Sequence, residues 1–114
     1  MTENNFRFEK RNIYYNDKIL VQVDNDIQDY LLTDNLLIIL TDGEQASNDQ
    51  NVYCYDLTGD FLWQIEDPDH LHSRNYFTSI YLSNKDELQA YNINGVEYTI
   101  KKQTGSILRK ELIK

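Results

Sequence analysis

NVYCYDLTGDFLWQI, residues 51–65, decides the fold of this chain. Val52 and Cys54 alternate with Tyr53 and Tyr55, the period of a strand with two different faces. Leu57-Thr58-Gly59-Asp60 follows as a turn, where Gly59 suits a positive φ and Asp56 and Thr58 can bond neighbouring backbone groups. Phe61, Trp63 and Ile65 then line one face of a return strand. The segment reads as a β-hairpin with Trp63 as a core or inter-sheet anchor.

Outward from the hairpin, helical periodicity is nearly absent. Residues 36–40, LLIIL, are apolar without alternation, as expected of a strand buried on both faces in the middle of a layered structure. Residues 27–32 form the strand before it, across the turn Thr33-Asp34-Asn35. Residues 41–50 are the most polar stretch and make a surface loop. Towards the N-terminus, residues 12–23 hold two β-rich runs around Asn16-Asp17, an extra hairpin, with Ile19, Val21 and Val23 expected on one face. Phe6 and Phe8 alternate with Arg7 and Glu9, a short edge strand or an arm. Downstream, 76–82, 87–93, 96–102 and 107–113 read as four strands, with Asn94-Gly95 a strong hairpin signal between the second and third.

The chain therefore repeats. Residues 27–65 and 80–112 each supply four strands joined by turns, with their Thr-Gly pairs 46 residues apart. Four strands per 40–50 residues is the spacing of propeller blades. Residues 52–63, VYCYDLTGDFLW, resemble the repeat of quinoprotein-type (PQQ-like) β-propellers through Val52, Tyr55, Asp56, Thr58, Gly59 and Trp63. The second copy keeps Thr104-Gly105 but places Lys102 and Arg109 where the resemblance expects aspartate and tryptophan. The resemblance implies blade architecture, with material for about two blades, and carries over no quinone-binding residue. The expected fold is all-β: two four-stranded antiparallel meanders, as a partial β-propeller or β-sandwich, with the extra N-terminal hairpin, in one domain spanning 1–114. Lys101, Lys102, Arg109 and Lys110 are placed to charge an exposed sheet edge.

Charge is the most uneven property. Between Ile19 and Ser73 there are twelve acids and no lysine or arginine, so the span carries −12 while the flanks carry +4, which gives the net −8. Such a field repels phosphate backbones and anionic lipid, which argues against nucleic-acid and membrane partners. It either keeps the protein soluble or forms a docking face for a basic protein. Thirteen Tyr and Phe residues are more than a core of this size needs, so some of Tyr14, Tyr15, Tyr30, Tyr53, Tyr55 and Tyr91 are candidates for an exposed binding face. Half-exposed strand tyrosines are the alternative.

Signatures of catalysis are missing. The single cysteine, Cys54, alternates with apolar residues and reads as a core thiol, and it excludes an intramolecular disulfide. His70 and His72, beside Asp67 and Asp69, lack a third nitrogen or sulfur ligand and read as a solvated loop. Asp24-Asn25-Asp26 and Asp42-Gly43-Glu44 lack calcium-loop spacing and read as turns. All four glycines sit at turn or loop positions, so no phosphate loop is present. No enzyme, cofactor or metal site is expected. Neither a signal peptide nor a membrane span is visible, which makes the cytoplasm the expected compartment.

These features point to a small acidic binding protein that neutralises a basic partner, in the manner of a bacterial immunity protein inhibiting a nuclease-like toxin domain. Asp42, Glu44 and Asp49 in the long loop, Asp67 and Asp69 in the connector, and Tyr53 and Tyr55 are the expected contact residues. The alternative is a propeller-derived structural module that pairs through sheet edges, for instance as a homodimer.

Overall fold

The computed structural model describes residues 5–46, 48–68 and 74–113. Eleven strands run through them: β1 (Phe6–Glu9), β2 (Asn12–Tyr15), β3 (Lys18–Gln22), β4 (Ile27–Thr33), β5 (Leu36–Thr41), β6 (Val52–Asp56), β7 (Phe61–Gln64), β8 (Phe77–Leu82), β9 (Leu88–Asn92), β10 (Val96–Ile100) and β11 (Ile107–Leu112). Each pairs antiparallel with its neighbour in sequence, giving meanders of β1–β3, β4–β7 and β8–β11. The two four-stranded meanders fall where the repeat places them. The N-terminal hairpin gains β1 as a third strand. Asp69, His70 and His72 lie outside the described residues.

The sheets stack face to face, and β5 is the reason. Its alternation sends Leu37 and Ile39 towards the first sheet, where they pack with Phe6, Ile13, Val21, Val23 and Ile27. Ile38 and Leu40 point the other way, into a core with Val52, Cys54, Trp63, Ile65, Phe77, Ile80, Leu88, Tyr98 and Ile100. All four of these β5 side chains are at most 1% exposed. Burying each is worth about 1.5–3 kcal/mol, so a single strand anchors both interfaces.

The turns follow from their residues. Asn16-Asp17 and Asp34-Asn35 hold φ values of 50° and 64°, and 52° and 60°, the doubly positive geometry that closes a two-residue hairpin and that Asn and Asp tolerate. In the β6–β7 turn, Asp56 Oδ1 accepts from the Thr58 hydroxyl at 2.6 Å, the Thr58 N–H at 2.9 Å and the Asp60 N–H at 3.0 Å. The Thr58 hydroxyl, followed by these backbone donors, lowers the Asp56 pKa below the usual carboxylate value.

The last strand of every meander joins its neighbour through a β-bulge. Register jumps from Ile13↔Val21 to Tyr14↔Ile19, from Cys54↔Trp63 to Tyr55↔Phe61, and from Thr99↔Arg109 to Ile100↔Ile107. The skipped residue is Leu20, Leu62 or Leu108. One extra residue reverses the parity of the strand before it. Ile19 therefore leaves the face of Val21 and Val23, and Phe61 leaves the face of Trp63 and Ile65, contrary to the simple alternation; both are 57% exposed.

The bulges set the three meanders in correspondence: β3 matches β7 and β11. The contacts agree. Gly105, at φ 79°, lies against the Trp63 ring, where an added Cβ would come within 2.5 Å of Cε3. Gly59, at φ 95°, lies likewise against the Leu20 carbonyl, at 2.7 Å. Each turn before a last strand thus rests on the last strand of the preceding sheet. Among the described residues the first sheet has three strands, with none that corresponds to β4 and β8.

Trp63 bears out its role as inter-sheet anchor, since its indole N–H donates to the Lys102 carbonyl at 2.8 Å. Lys102 does not charge an edge as expected. Its ammonium lies 2.7 Å from Asp34 and 3.0 Å from Asp86, joining the β4–β5 and β8–β9 turns. Desolvation alone would lower its pKa, but the hydrogen bonds and charges of Asp34 and Asp86 prevail and raise it.

Apart from exposed Ile19 on the first sheet, both outer faces are mostly polar. Ile38, Leu40, Val52, Cys54 and Trp63, which face the last sheet, correspond by register to Gln89, Tyr91, Glu97, Thr99 and Arg109 on that sheet's far side. There Thr99 donates to Gln89 at 2.9 Å, Arg109 to Glu87 at 2.7 Å, and the Tyr81 hydroxyl to Glu97. On the first sheet's far side the Arg7 guanidinium lies 4.0 Å over the Tyr14 ring. In stacked architectures a polar outer face is what ends the stack.

Two outcomes test this account. Trp63→Phe should lose about 1–3 kcal/mol and Trp63→Ala about 3–5 kcal/mol in urea unfolding, from the lost hydrogen bond and the cavity. Because the Asp56 pKa is lowered by folding, its stabilisation is complete above the unfolded value of about 4 and is lost as pH falls through the folded one. Asp56→Asn should therefore be less stable than the parent at neutral pH, with the gap closing in acid when unfolding is followed against pH.

Candidate interaction site

After β5 the chain turns through Asp42-Gly43-Glu44, and local bonds hold this turn rigid. The Glu44 N–H donates to Asp42 Oδ1 at 2.9 Å, and the Asp42 N–H to the Asp26 carbonyl at 2.8 Å. Gln45 fastens it sideways: its amide donates to Asp26 Oδ2 and its carbonyl accepts from the Asp26 N–H, both at 2.9 Å. Three acids of the base-free span thus share one corner, between the connector before β4 and the turn after β5.

The connector before β8 completes the corner. Tyr76 is buried with its ring flat under Gly43, where an added Cβ would come within 2.1 Å of Cδ2. Only glycine lets the acidic turn lie on the ring. The Arg74 guanidinium sits 4.9 Å from the centre of that ring and donates to the Gly43 carbonyl at 2.6 Å. The Tyr76 hydroxyl donates to Glu44 at 3.4 Å. Burial first, and then the Glu44 charge, raise the Tyr76 pKa, so the hydroxyl remains a donor.

Beside them opens a cavity of about 340 Å³ lined by Gln28, Asp42, Gly43, Glu44, Tyr76, Phe77 and Thr78. Fully buried Asn51 anchors its floor. The Asn51 amide donates to the Thr41 and Phe77 carbonyls, and its carbonyl accepts from the Phe77 N–H, all at 2.8 Å. One side chain therefore holds the end of β5 against the start of β8. It does so where a ladder hydrogen bond cannot, because the two strands belong to different sheets.

Of the expected contact residues, the structure brings Asp42 and Glu44 together. Asp49 is half-buried further along the same loop and does not line the cavity, and Asp67 is exposed in the connector after β7. Asp69 lies outside the described residues. Tyr53 and Tyr55 take the β6 face turned to the first sheet, half-buried, with Tyr55 edge-on to Phe61 at 5.7 Å. Burial, and then the charge of Asp24, raise the Tyr53 pKa. These tyrosines form a second patch with Asp24 and Phe61, apart from the cavity lining. Arg74, Tyr76 and Asn51 were not legible as site residues, because each acts only across sheets. The Gly43-to-Tyr76 contact spans more than thirty residues of sequence, and no local pattern signals it.

Cys54 is fully buried, and burial, followed by the charge of Asp56, pushes its thiol up to about 12. It is the core thiol that alternation suggests. Among the described residues no group of three His, Cys, Asp or Glu side chains is placed to hold a metal ion. No helix among them is long and apolar enough to cross a membrane.

Residues 3–112 match a family described as a domain of unknown function, DUF7957. The chain belongs to that family. Comparison of this DUF7957 member with curated proteins gives no match. Among solved structures it is similar to the crystal structure of the computationally designed Ika8 protein, at a TM-score of 0.63 and 15% identity. The likeness covers 96% of this chain and 36% of the designed one, so the DUF7957 chain spans about a third of that protein. At such identity what is shared is fold.

The Asn51 clamp has a measurable worth. Asn51→Ala should cost about 2–4 kcal/mol in chemical denaturation, since it strands the buried Phe77 N–H and two carbonyls. Asn51→Asp, which keeps the acceptor and removes the donors, should recover only part of that loss.

Proposed function

We propose that this DUF7957 member is a binding protein without chemistry of its own, which neutralises a basic protein partner through the corner built on Asp42, Glu44 and Tyr76. The single observation that carries this reading is Arg74. A guanidinium already rests there, over an aromatic face and on a carbonyl between two carboxylates. That combination of π-face, carbonyl acceptor and nearby anions is what recognition of arginine or lysine requires. The neighbouring cavity, with Asp42, Gln28 and Thr78 on its wall, offers room for a second cation beside it.

The charge of the span supports the same partner. Twelve acids without a base between Ile19 and Ser73 attract a cationic surface to the molecule and disfavour anionic ones. Asp49, Asp67 and Asp69 widen the field, and Tyr53 and Tyr55 with exposed Phe61 supply aromatic contact area next to Asp24. In this reading the protein acts in the cytoplasm as an immunity protein does, covering the cationic active site of a nuclease-like toxin domain.

A second reading has its own support. A propeller-derived module that pairs through sheet edges is favoured by the polar outer faces, which leave edges rather than faces for association. Its mass in solution would exceed 13.6 kDa at both low and high salt.

Titration calorimetry against a panel of small basic proteins that includes nuclease domains tests the first reading. Binding should weaken by about tenfold or more between 50 and 200 mM salt, and Asp42→Asn with Glu44→Gln should weaken it by about a further tenfold. Binding that ignores both salt and these substitutions would sink the electrostatic reading.

A further inference from the structure

We propose that the place now taken by the Arg74 guanidinium is an arginine subsite, filled by a side chain of a basic partner that replaces Arg74 there. The subsite rests on the reading of the corner as a surface for cations, and it specifies the residue type that enters. The seat is built independently of the guanidinium, and the guanidinium is held lightly.

Tyr76 is 7% exposed, and its carbonyl accepts from the Ile93 N–H at 3.0 Å. Gly43 rests on the ring through a turn that Asp42, Gln45 and Asp26 fasten. The Arg74 backbone is pinned as well, since its carbonyl accepts from the Asn94 amide at 2.8 Å. Asn94 in turn is positioned by Asn92, whose Oδ1 accepts from the Asn94 N–H at 3.1 Å and the Val96 N–H at 2.9 Å. The β9–β10 turn therefore carries the ring and the main chain at Arg74, and the Arg74 side chain can leave without disturbing either.

Arg74 itself is exposed. Its guanidinium donates through Nη2 to the Gly43 carbonyl at 2.6 Å and lies 4.9 Å from the Tyr76 ring centre. An incoming guanidinium remakes both contacts, so the exchange costs little and the rest of the partner decides it. The same pair of contacts selects arginine over lysine. A guanidinium is planar and weakly hydrated and meets a ring face and a carbonyl together, whereas an ammonium is a compact, strongly hydrated charge. The cavity of about 340 Å³ begins at the same Gly43 and Tyr76, and it leaves room for the stem of the entering side chain. While Arg74 holds the seat, apparent affinity is scaled down by the fraction of time that the seat is empty.

Methylguanidinium and methylammonium chlorides at low millimolar concentration, and the peptides acetyl-Gly-Arg-Gly-amide and acetyl-Gly-Lys-Gly-amide, are the probes, added to the full isotope-labelled chain. In Arg74→Ala the guanidinium probes should shift the Gly43 and Glu44 amide resonances and bind about tenfold more tightly than they bind the parent, while the ammonium probes gain little. Arg74→Lys keeps the charge and removes the planar fork, so a gain for the guanidinium probes there is not the effect of a lost positive field. Thermal unfolding of both variants should stay close to that of the parent, because Arg74 is exposed. Equal affinity of parent and variants, shifts away from Gly43 and Glu44, or an equal gain for the ammonium probes would each overturn the subsite. A gain for the guanidinium probes, beside basic-protein binding that ignores Asp42→Asn and Glu44→Gln, would keep the subsite and sink the neutralising role instead.

Discussion

Burial of one strand from both sides is the constraint on which the rest of this structure depends. A strand that buries Leu37 and Ile39 on one face and Ile38 and Leu40 on the other cannot sit at a surface. It requires a sheet above and a sheet below, and the chain supplies them in sequence order. Ile13 and Val21 arrive from the N-terminal side, and Phe77, Leu88 and Tyr98 from the C-terminal side. The other features of the stack are consequences. Gly59 and Gly105 allow each turn to press on the sheet before it, and Asn51 and Lys102 tie sheet to sheet where no ladder can run. The polar side chains on the two outer faces end the series.

The contrast between inner and outer faces is the clearest record of how the repeat is used. Trp63 and Arg109 occupy corresponding positions beside corresponding bulges, yet one fills a core and the other pairs with Glu87. Cys54 and Thr99 differ in the same way, the first packed among aliphatic groups and the second bonded to Gln89. A further sheet laid on the last face would bury Glu97 and Arg109, at a desolvation cost that apolar contact could not offset. The architecture therefore extends by its edges and loops, and these are the places where the polar and charged side chains of the base-free span collect.

What the sequence revealed and what it hid divide along a physical line. The unbroken run at 36–40, the Thr-Gly turns and the alternation of 52–55 are local signals, and they were enough for an all-β chain of two four-stranded meanders. The faces of Ile19 and Phe61 were misread because a bulge changes parity by one residue, and Leu20, Leu62 and Leu108 look like ordinary strand leucines. Asp42 and Glu44 were legible as acids in a polar loop, but the ring beneath them and the guanidinium beside them were not. Tyr76 and Arg74 reach that corner only through the stacking of sheets.

That difference explains why the acidic corner has the form it does. A run of like charges in a loop would ordinarily be spread by repulsion and solvated separately. Here Gly43 lies on Tyr76, Gln45 grips Asp26, and the turn bonds of Asp42 fix the backbone that carries the carboxylates. Arg74 offsets part of the repulsion from outside the base-free span, reaching the Gly43 carbonyl rather than closing on either carboxylate. Holding anions in place at the cost of local repulsion is productive when a cation relieves it, since the relief then appears as binding energy and the ordering entropy is already spent. In the proposed binding role, the fixed backbone of the corner, more than its acid content, would distinguish a recognition surface from a merely charged one.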